Sequence, residues 1–279
     1  MYIDRSVSSV RAIDPTLFSP IQFHPHALLE FGVNDVCAWF IKYLGVSIAR
    51  QLKDYQQSMV VVGCEINYAR PFQFFDAAEF TAILDKVRLR QSNTVLEFFH
   101  VFAAQEEVFA RVILHWKLLR LDGAAALSAV SGHMHESLLV RFKEEEIDSS
   151  PIQRKLLTYV SEVEYSSPVC VEGSLDITLH RHQCEVADQW TFFQLTSLVA
   201  QARECLVMSK AAAQYRMSKV LGVPLKQVAM ELSCPVYLFE LMRVHTKLYK
   251  WQGQWVFIHR IYNVDRGHAL AATVVERFE

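Results

Sequence analysis

The stretch VNDVCAWFIKYLGVSIARQL, residues 33 to 52, decides how the chain folds. Apolar residues at Val36, Trp39, Phe40, Tyr43, Leu44, Ile48 and Leu52 recur every three or four positions, which is the spacing of one helix face. Asn34 or Asp35 stands where an N-cap belongs, because a short polar side chain there satisfies a free backbone amide. One long, mostly buried helix is therefore expected over 33–52. From Met59 onward the pattern changes. VVVGCEINYARPFQF, AEFTAILDKVRLR, TVLEFFHVFAAQ and VFARVILHWKLLRL are rich in β-branched and aromatic residues and are separated by short polar runs. They read as an antiparallel meander.

Working outward, the same order returns. Residues 121–157 hold small residues, an acidic run and a proline, and read as a linker with a short helix. TYVSEVEYSS and DITLHRHQ then read as strands. An apolar helix, WTFFQLTSLVAQARECLVMSKAAA, comes next, followed by four more strands, QVAMELSCPVYLF, MRVHTKLYKW, QWVFIHRIYNV and HALAATVVERF. The halves align piecewise. A shift of 153 lays Val33, Asp35, Phe40, Ala49 and Arg50 on Val186, Asp188, Phe193, Ala202 and Arg203. A shift of 164 lays ARPFQF on SCPVYL, and a shift of 159 lays His100 on His259. A period of about 150 residues indicates tandem domains rather than a solenoid: 1–120, a linker over 121–157, and 158–279.

Bulk composition excludes several functions. The chain has 279 residues, 52% hydrophobic, with a net charge of -2 and no basic stripe, so it reads as globular and not as a nucleic-acid binder. No apolar run reaches the roughly 18 residues needed to span a bilayer, and the N-terminus does not read as a signal peptide. The six cysteines contain no CxxC and read as reduced thiols of a cytoplasmic protein. The sequence contains no GxGxxG, GxxxxGK[ST] or GxSxG, so nucleotide-binding loops and a nucleophile elbow lack their backbone chemistry.

A long buried helix followed by antiparallel strands resembles the hotdog fold. The apolar helix, the proline-centred segments ARPFQF and SCPVYL, and the long strands TAILDKVRLR and TVLEFFHVFA are similar to the 4-hydroxybenzoyl-CoA thioesterase type. The resemblance covers roughly 10–120 and 158–279. It implies an α+β double hotdog, with two long central helices wrapped by antiparallel sheet. Many hotdog thioesterases carry a D-x-x-G-H-V-N-N-like run before the helix. Here Gly32, Val33 and Asn34 echo part of it, and the second half keeps Val186 and Asp188.

That resemblance implies chemistry on acyl thioesters of coenzyme A or acyl carrier protein. Hydrolysis is the leading reading, with 3-hydroxyacyl dehydration and non-catalytic acyl binding as alternatives. No cofactor is implied, since coenzyme A or phosphopantetheine arrives as the substrate carrier. A homodimer of double hotdogs is one assembly it allows.

Five residues are the catalytic candidates: Asp35, Asp188, Glu185, Glu30 and His24. A carboxylate or imidazole near a helix N-terminus could activate water while backbone amides hold the oxyanion. Asp35 and Asp188 could equally be helix caps. His24 or His26 could act with Asp188 or Glu185 across the interface. Asn34, Arg50, Arg203, Trp39 and Trp190 are the substrate-binding candidates, the arginines for a carrier phosphate and the tryptophans for an acyl tunnel or the core. In HRHQCEVADQW (180–190), His180, His182 and Cys184 would share one strand face like zinc donors, but a fourth ligand is not evident, and no metal is expected.

Overall fold

The computed structural model describes residues 5–121, 129–186, 188–209 and 217–279. The first half runs β1 (Val7–Ala12), α1 (Pro25–Trp39), α2 (Ile48–Tyr55), β2 (Gln57–Tyr68), β3 (Glu79–Arg90), β4 (Val95–Ala104) and β5 (Glu107–Leu121). Between the halves lie β6 (Ala129–Ser131), α3 (Glu136–Leu139), β7 (Ile147–Asp148) and α4 (Lys155–Ser166). The second half runs β8 (Val169–Thr178), α5 (Gln194–Val207), β9 (Leu225–Leu232), β10 (Leu241–Trp251), β11 (Gln254–Asn263) and β12 (Ala269–Phe278).

All the strands join one sheet in the order β1-β3-β4-β5-β2-β9-β12-β11-β10-β8, with β6 beside β5 and β7 beside β3. Among the described residues only the two-residue β7 pairs parallel. Alternation along each strand sends one set of side chains to each face. On one face α1 and α5 bury Leu28, Leu29, Val36, Trp39, Leu195, Val199 and Leu206 against Leu84, Phe98, Leu114, Val244 and Val274. On the other face α4 buries Leu156, Val160 and Val163 against Tyr249, Val256, Ile258 and Val275.

The halves meet where β2 pairs with β9. Gly63 pairs with Glu231, Glu65 with Ala229 and Asn67 with Gln227. The shift of 164 carries Gly63 to 227, Glu65 to 229 and Asn67 to 231. The outer pairs therefore exchange and the central pair maps onto itself. A pseudo-twofold axis passes through Glu65 and Ala229.

Several elements differ from the sequence expectation. The helix expected over 33–52 begins at Pro25, with His24 as its N-cap residue, and α1 is 15 residues long. Proline fits the first helical position because its missing N–H has no partner to lose there. A π-helical turn, Phe40–Leu44, extends α1 and stops at Gly45, whose φ is 64°. Ser47 then caps the separate α2. The second helix, expected over 190–213, is α5 of 14 residues, and residues 210–213 lie outside the described residues. Among the described residues there is one continuous helical run of about 20 residues, and not two.

TYVSEVEYSS is not a strand but part of α4, because Leu156, Val160 and Val163 keep the helical spacing of four and three. ARPFQF and SCPVYL are not strands either. They follow the ends of β2 and β9 as turns, as their prolines require. DITLHRHQ is a strand only to Thr178, and a 3-10 turn over Arg181–Gln183 follows.

Candidate active site

Two loops lead into the buried helices, and their hydrogen bonds fix the true register of the repeat. In the first, Phe18 and Phe23 form an antiparallel bridge, and Phe23 N–H donates to the Phe72 carbonyl at 2.9 Å. In the second, Cys184 bridges Trp190, whose N–H donates to the Val236 carbonyl at 2.9 Å. Phe23 therefore corresponds to Trp190, a shift of 167, and Phe72 to Val236, the expected shift of 164. The helix shift of 153 is corrected by 14 residues. An amphipathic helix matches itself after 14 residues, close to four turns of 3.6. The shift of 159 is borne out, since β4 and β11 start at Val95 and Gln254 and bury His100 and His259 alike.

With the register of 167, Asp35 corresponds to Ala202, not to Asp188. Asp35 is not a cap but lies in the middle of α1, buried against β1. Ser9 Oγ donates to its Oδ1 at 3.4 Å, Arg11 stands 3.6 Å away, and Oδ2 has no partner. Burial pushes its pKa up to about 6, against the opposing pull of Arg11 and Ser9.

Asp188 precedes α5 in a turn with φ 54°, exposed and paired with Arg181 at 2.9 Å. It therefore does not cap α5, whose N-cap residue is Phe193. Glu185 accepts from the Gln189 side chain, and desolvation by the loop raises its pKa against that bond. Asp188 accepts the Leu238 amide through its carbonyl. The loop of His24 is held elsewhere, by Phe72 and by Gln22, whose buried side chain accepts from Leu225 N–H at 2.7 Å and donates to the Leu225 carbonyl at 3.3 Å. Among the described residues no hydrogen bond or ion pair joins His24 to Asp188, which pairs with Arg181, or to Glu185, which accepts from Gln189.

The first loop presents its imidazoles at the start of α1. The His24 and His26 ring centres are 5.0 Å apart. Desolvation, then the nearness of His26, lowers the His24 pKa, while a hydrogen bond to the Phe18 backbone opposes the shift. That bond to a carbonyl uses one ring nitrogen as donor and leaves the other as an acceptor. Desolvation also lowers the pKa of His26, and Glu30, one turn further on, opposes it. No side chain caps α1, so its first-turn amides are free of side-chain partners. In the second half the corresponding residues are Thr191, Phe193 and Ser197. Only the first loop has acid–base groups at these positions.

The other candidates fall in different places. Asn34 is exposed on α1. Arg50 is exposed on α2 and pairs with Asp54 at 3.2 Å, so it is neither on the long helix nor the counterpart of Arg203. Arg203 turns inward and binds Glu276, which also meets His259 at 3.2 Å. Trp39 is fully buried and its Nε1–H donates to the Arg5 carbonyl at 3.0 Å. Trp190 is half-buried, with Nε1 unpartnered. His180 and His182 are exposed around a 3-10 turn, not aligned on a strand face with Cys184.

Sequence reading missed Gln22, Glu97 and Glu276. A glutamate inside an apolar strand, as in VLEFF and TVVERF, was the available signal, because such a charge needs a buried partner.

No family model matches the sequence, and no curated protein does. Solved structures match along the whole length. A protein of Lactobacillus plantarum described as a candidate oleoyl thioesterase superposes with TM-score 0.72 at 11% identity, covering 98% of this chain and 95% of its own. The 12:0-ACP thioesterase of Umbellularia californica gives 0.68 at 8% identity, covering 100% and 99%. An acyl-ACP thioesterase of Bacteroides thetaiotaomicron gives 0.66 at 10% identity, covering 99% and 98%. At such identities the likeness shows the fold alone: helices on one face of a sheet whose halves join through a pseudo-twofold seam, an architecture this chain shares with those three structures along their whole length.

Proposed function

We propose that this protein hydrolyses acyl thioesters carried by coenzyme A or acyl carrier protein, at the site built around His24. The observation that carries the reading is a desolvated, neutral imidazole at the uncapped start of a buried helix, present in one half only. Neutral His24, its tautomer set by the Phe18 carbonyl, takes a proton from water as that water attacks the thioester carbonyl. The first-turn amides of α1, at the positive end of the helix dipole, hold the oxyanion. The proton then passes to the departing thiolate. His26 and Glu30 flank the base and keep a second imidazole beside it. Two tandem hotdog units, 1–120 and 158–279, supply the site and its diverged twin. Similar full-length architectures named as acyl-ACP thioesterases support this substrate class.

The test is thiol release from a panel of acyl-CoA and acyl-ACP substrates. His24→Ala should lower kcat by about 10²–10⁴-fold with little change in KM, the usual worth of a general base. Activity should hold at neutral pH and fall as His24 protonates below its ordinary value of 6.5. Unchanged kcat in His24→Ala sinks the assignment. Water loss from 3-hydroxyacyl substrates without thiol release would point to the dehydratase chemistry instead.

A further inference from the structure

A cavity lies on the opposite face of the sheet, away from α1 and α5. Its volume is about 290 Å³, at the lower end of small-molecule sites. It arises from the register at the seam. Glu97 pairs with His115, His115 with Gly63, and Gly63 with Glu231, one row across four strands. Gly63 has no side chain, so no side chain of β2 stands between His115 and Glu231, whose strands are two spacings apart, about 9–10 Å, and His115 Nδ1 lies 3.6 Å from where a Cβ on Gly63 would stand. Ala229, one row on, continues this shallow floor. The segment 152–159, with the start of α4, forms the roof.

The polar groups of this cavity call for a negatively charged guest. Arg277 is held by two neutral carboxamides, Gln227 Oε1 at 3.0 Å and Gln254 Oε1 at 2.8 Å. Among the described residues it has no carboxylate partner, and its buried Nε–H is unbonded. Its guanidinium lies 5.7 Å from the Tyr159 ring, and the buried Tyr159 hydroxyl also lacks a partner. Arg277 and Tyr159 both line this cavity, and each carries a buried donor without an acceptor, whereas buried donors normally have one.

Arg154 and Lys155 line the same space, as do Glu65 and Glu231. Glu65 accepts from Gln227 at 2.7 Å and Asn67 at 2.8 Å. Glu231 accepts the Leu156 amide, and burial raises its pKa against that bond and Arg154, which softens its repulsion. Three cationic side chains, Arg277 and the exposed Arg154 and Lys155, therefore share the lining with two carboxylates that already have donors. Apolar Val62, Val275 and Leu156 are also part of the lining.

We propose that this cavity is a second ligand site, binding a small organic anion whose carboxylate or phosphate group rests on Arg277 and Tyr159 and whose apolar body covers Gly63 and Ala229. A guanidinium is suited to either head group through paired N–H donors. The site is separate from the helix-face chemistry and does not depend on it.

Thermal-shift titration of the full chain tests this, with hexanoate, inorganic phosphate and, as the cationic control, hexylamine. Hexanoate or phosphate should raise Tm saturably and hexylamine should not. Response to hexanoate alone assigns a carboxylate head, and response to phosphate alone assigns a phosphate. Arg277→Gln should weaken the anion's Kd at least tenfold, and Tyr159→Phe, which keeps the ring and removes only the hydroxyl, should weaken it measurably. Loss in Arg277→Gln but not in His24→Ala separates this cavity from the helix-face site. No saturable rise with either anion, or an unchanged Kd in Arg277→Gln, overturns the proposal.

Discussion

His100 and His259 occupy matching places in β4 and β11, yet their surroundings differ. His259 bonds Thr246 Oγ1 at 2.9 Å and Glu276 at 3.2 Å. The cross-strand partner of His100 is Leu84, where His259 has Thr246, and Leu114 stands where the second half has Glu276. His100 is left with both ring nitrogens unbonded, and burial pushes its pKa down to about 3, so it stays neutral. Burial alone would raise the Glu276 pKa, but Arg203, then His259, outweigh it and hold it at about 2, below its ordinary 4.5. A depressed carboxylate stabilises the fold above its unfolded pKa and loses that contribution as pH falls. Between pH 4.5 and 2 the protein should lose on the order of 3 kcal/mol from this group alone. In Glu276→Gln, urea unfolding should show lower stability at pH 7 and a flatter acid limb.

Asp35 has the opposite sign. Its folded pKa, about 6, lies above the ordinary 3.8, so its protonated form favours the fold and stability falls as pH rises through this interval. Asp35→Asn should raise stability above pH 6 by up to about 3 kcal/mol and change little at pH 4. Equal Tm values for the variant and the parent at pH 8 would contradict this.

At the scale of elements, α1 shows which signals a sequence gives clearly. Its apolar face was legible from Val36, Trp39 and Phe40, because packing imposes the spacing. Its ends were not, since Asn34 and Asp35 mimic a cap while Pro25 is the real start. Likewise, Glu162 and Glu164 alternate with apolar residues over a few positions and make α4 look like a strand. Only the longer spacing from Leu156 to Val163 reveals the helix. β1 was missed because VSSVRA is short and polar and gains its stability from pairing with β3. Gly45 ends the π-helical turn with φ 64°, and an added Cβ would stand 2.5 Å from Arg141 Nη1. Gly45→Ala should cost about 1–2 kcal/mol, read as a lower urea midpoint with unchanged m-value.

For the whole molecule, the repeat was legible because β strands keep their order and their buried histidines. The candidate site was legible only in part. His24 and Glu30 lie together at the start of α1, but the pairing of Asp35 with Asp188 came from helical periodicity and not from homology of position. The single sheet also has a thermodynamic consequence. β2 and β9 pair through five residues each, and Gln22 ties the first half to Leu225. Exposing either half would break this ladder, so calorimetry should show one unfolding transition with calorimetric and van't Hoff enthalpies equal. Two separated transitions would show that the halves unfold independently.

The axis through Glu65 and Ala229 has an evolutionary consequence. In a dimer of identical chains, the residue on the axis faces its own copy, so a glutamate there meets a glutamate, and like charges directly opposite on paired strands repel. A single chain is free of that constraint, because each side of the axis is encoded separately. Glutamate can then stand opposite alanine, His24 opposite nothing reactive, and an ionic network opposite leucines. Covalent fusion lets one half keep an imidazole and the other give it up, a division of labour that a symmetric pair cannot inherit.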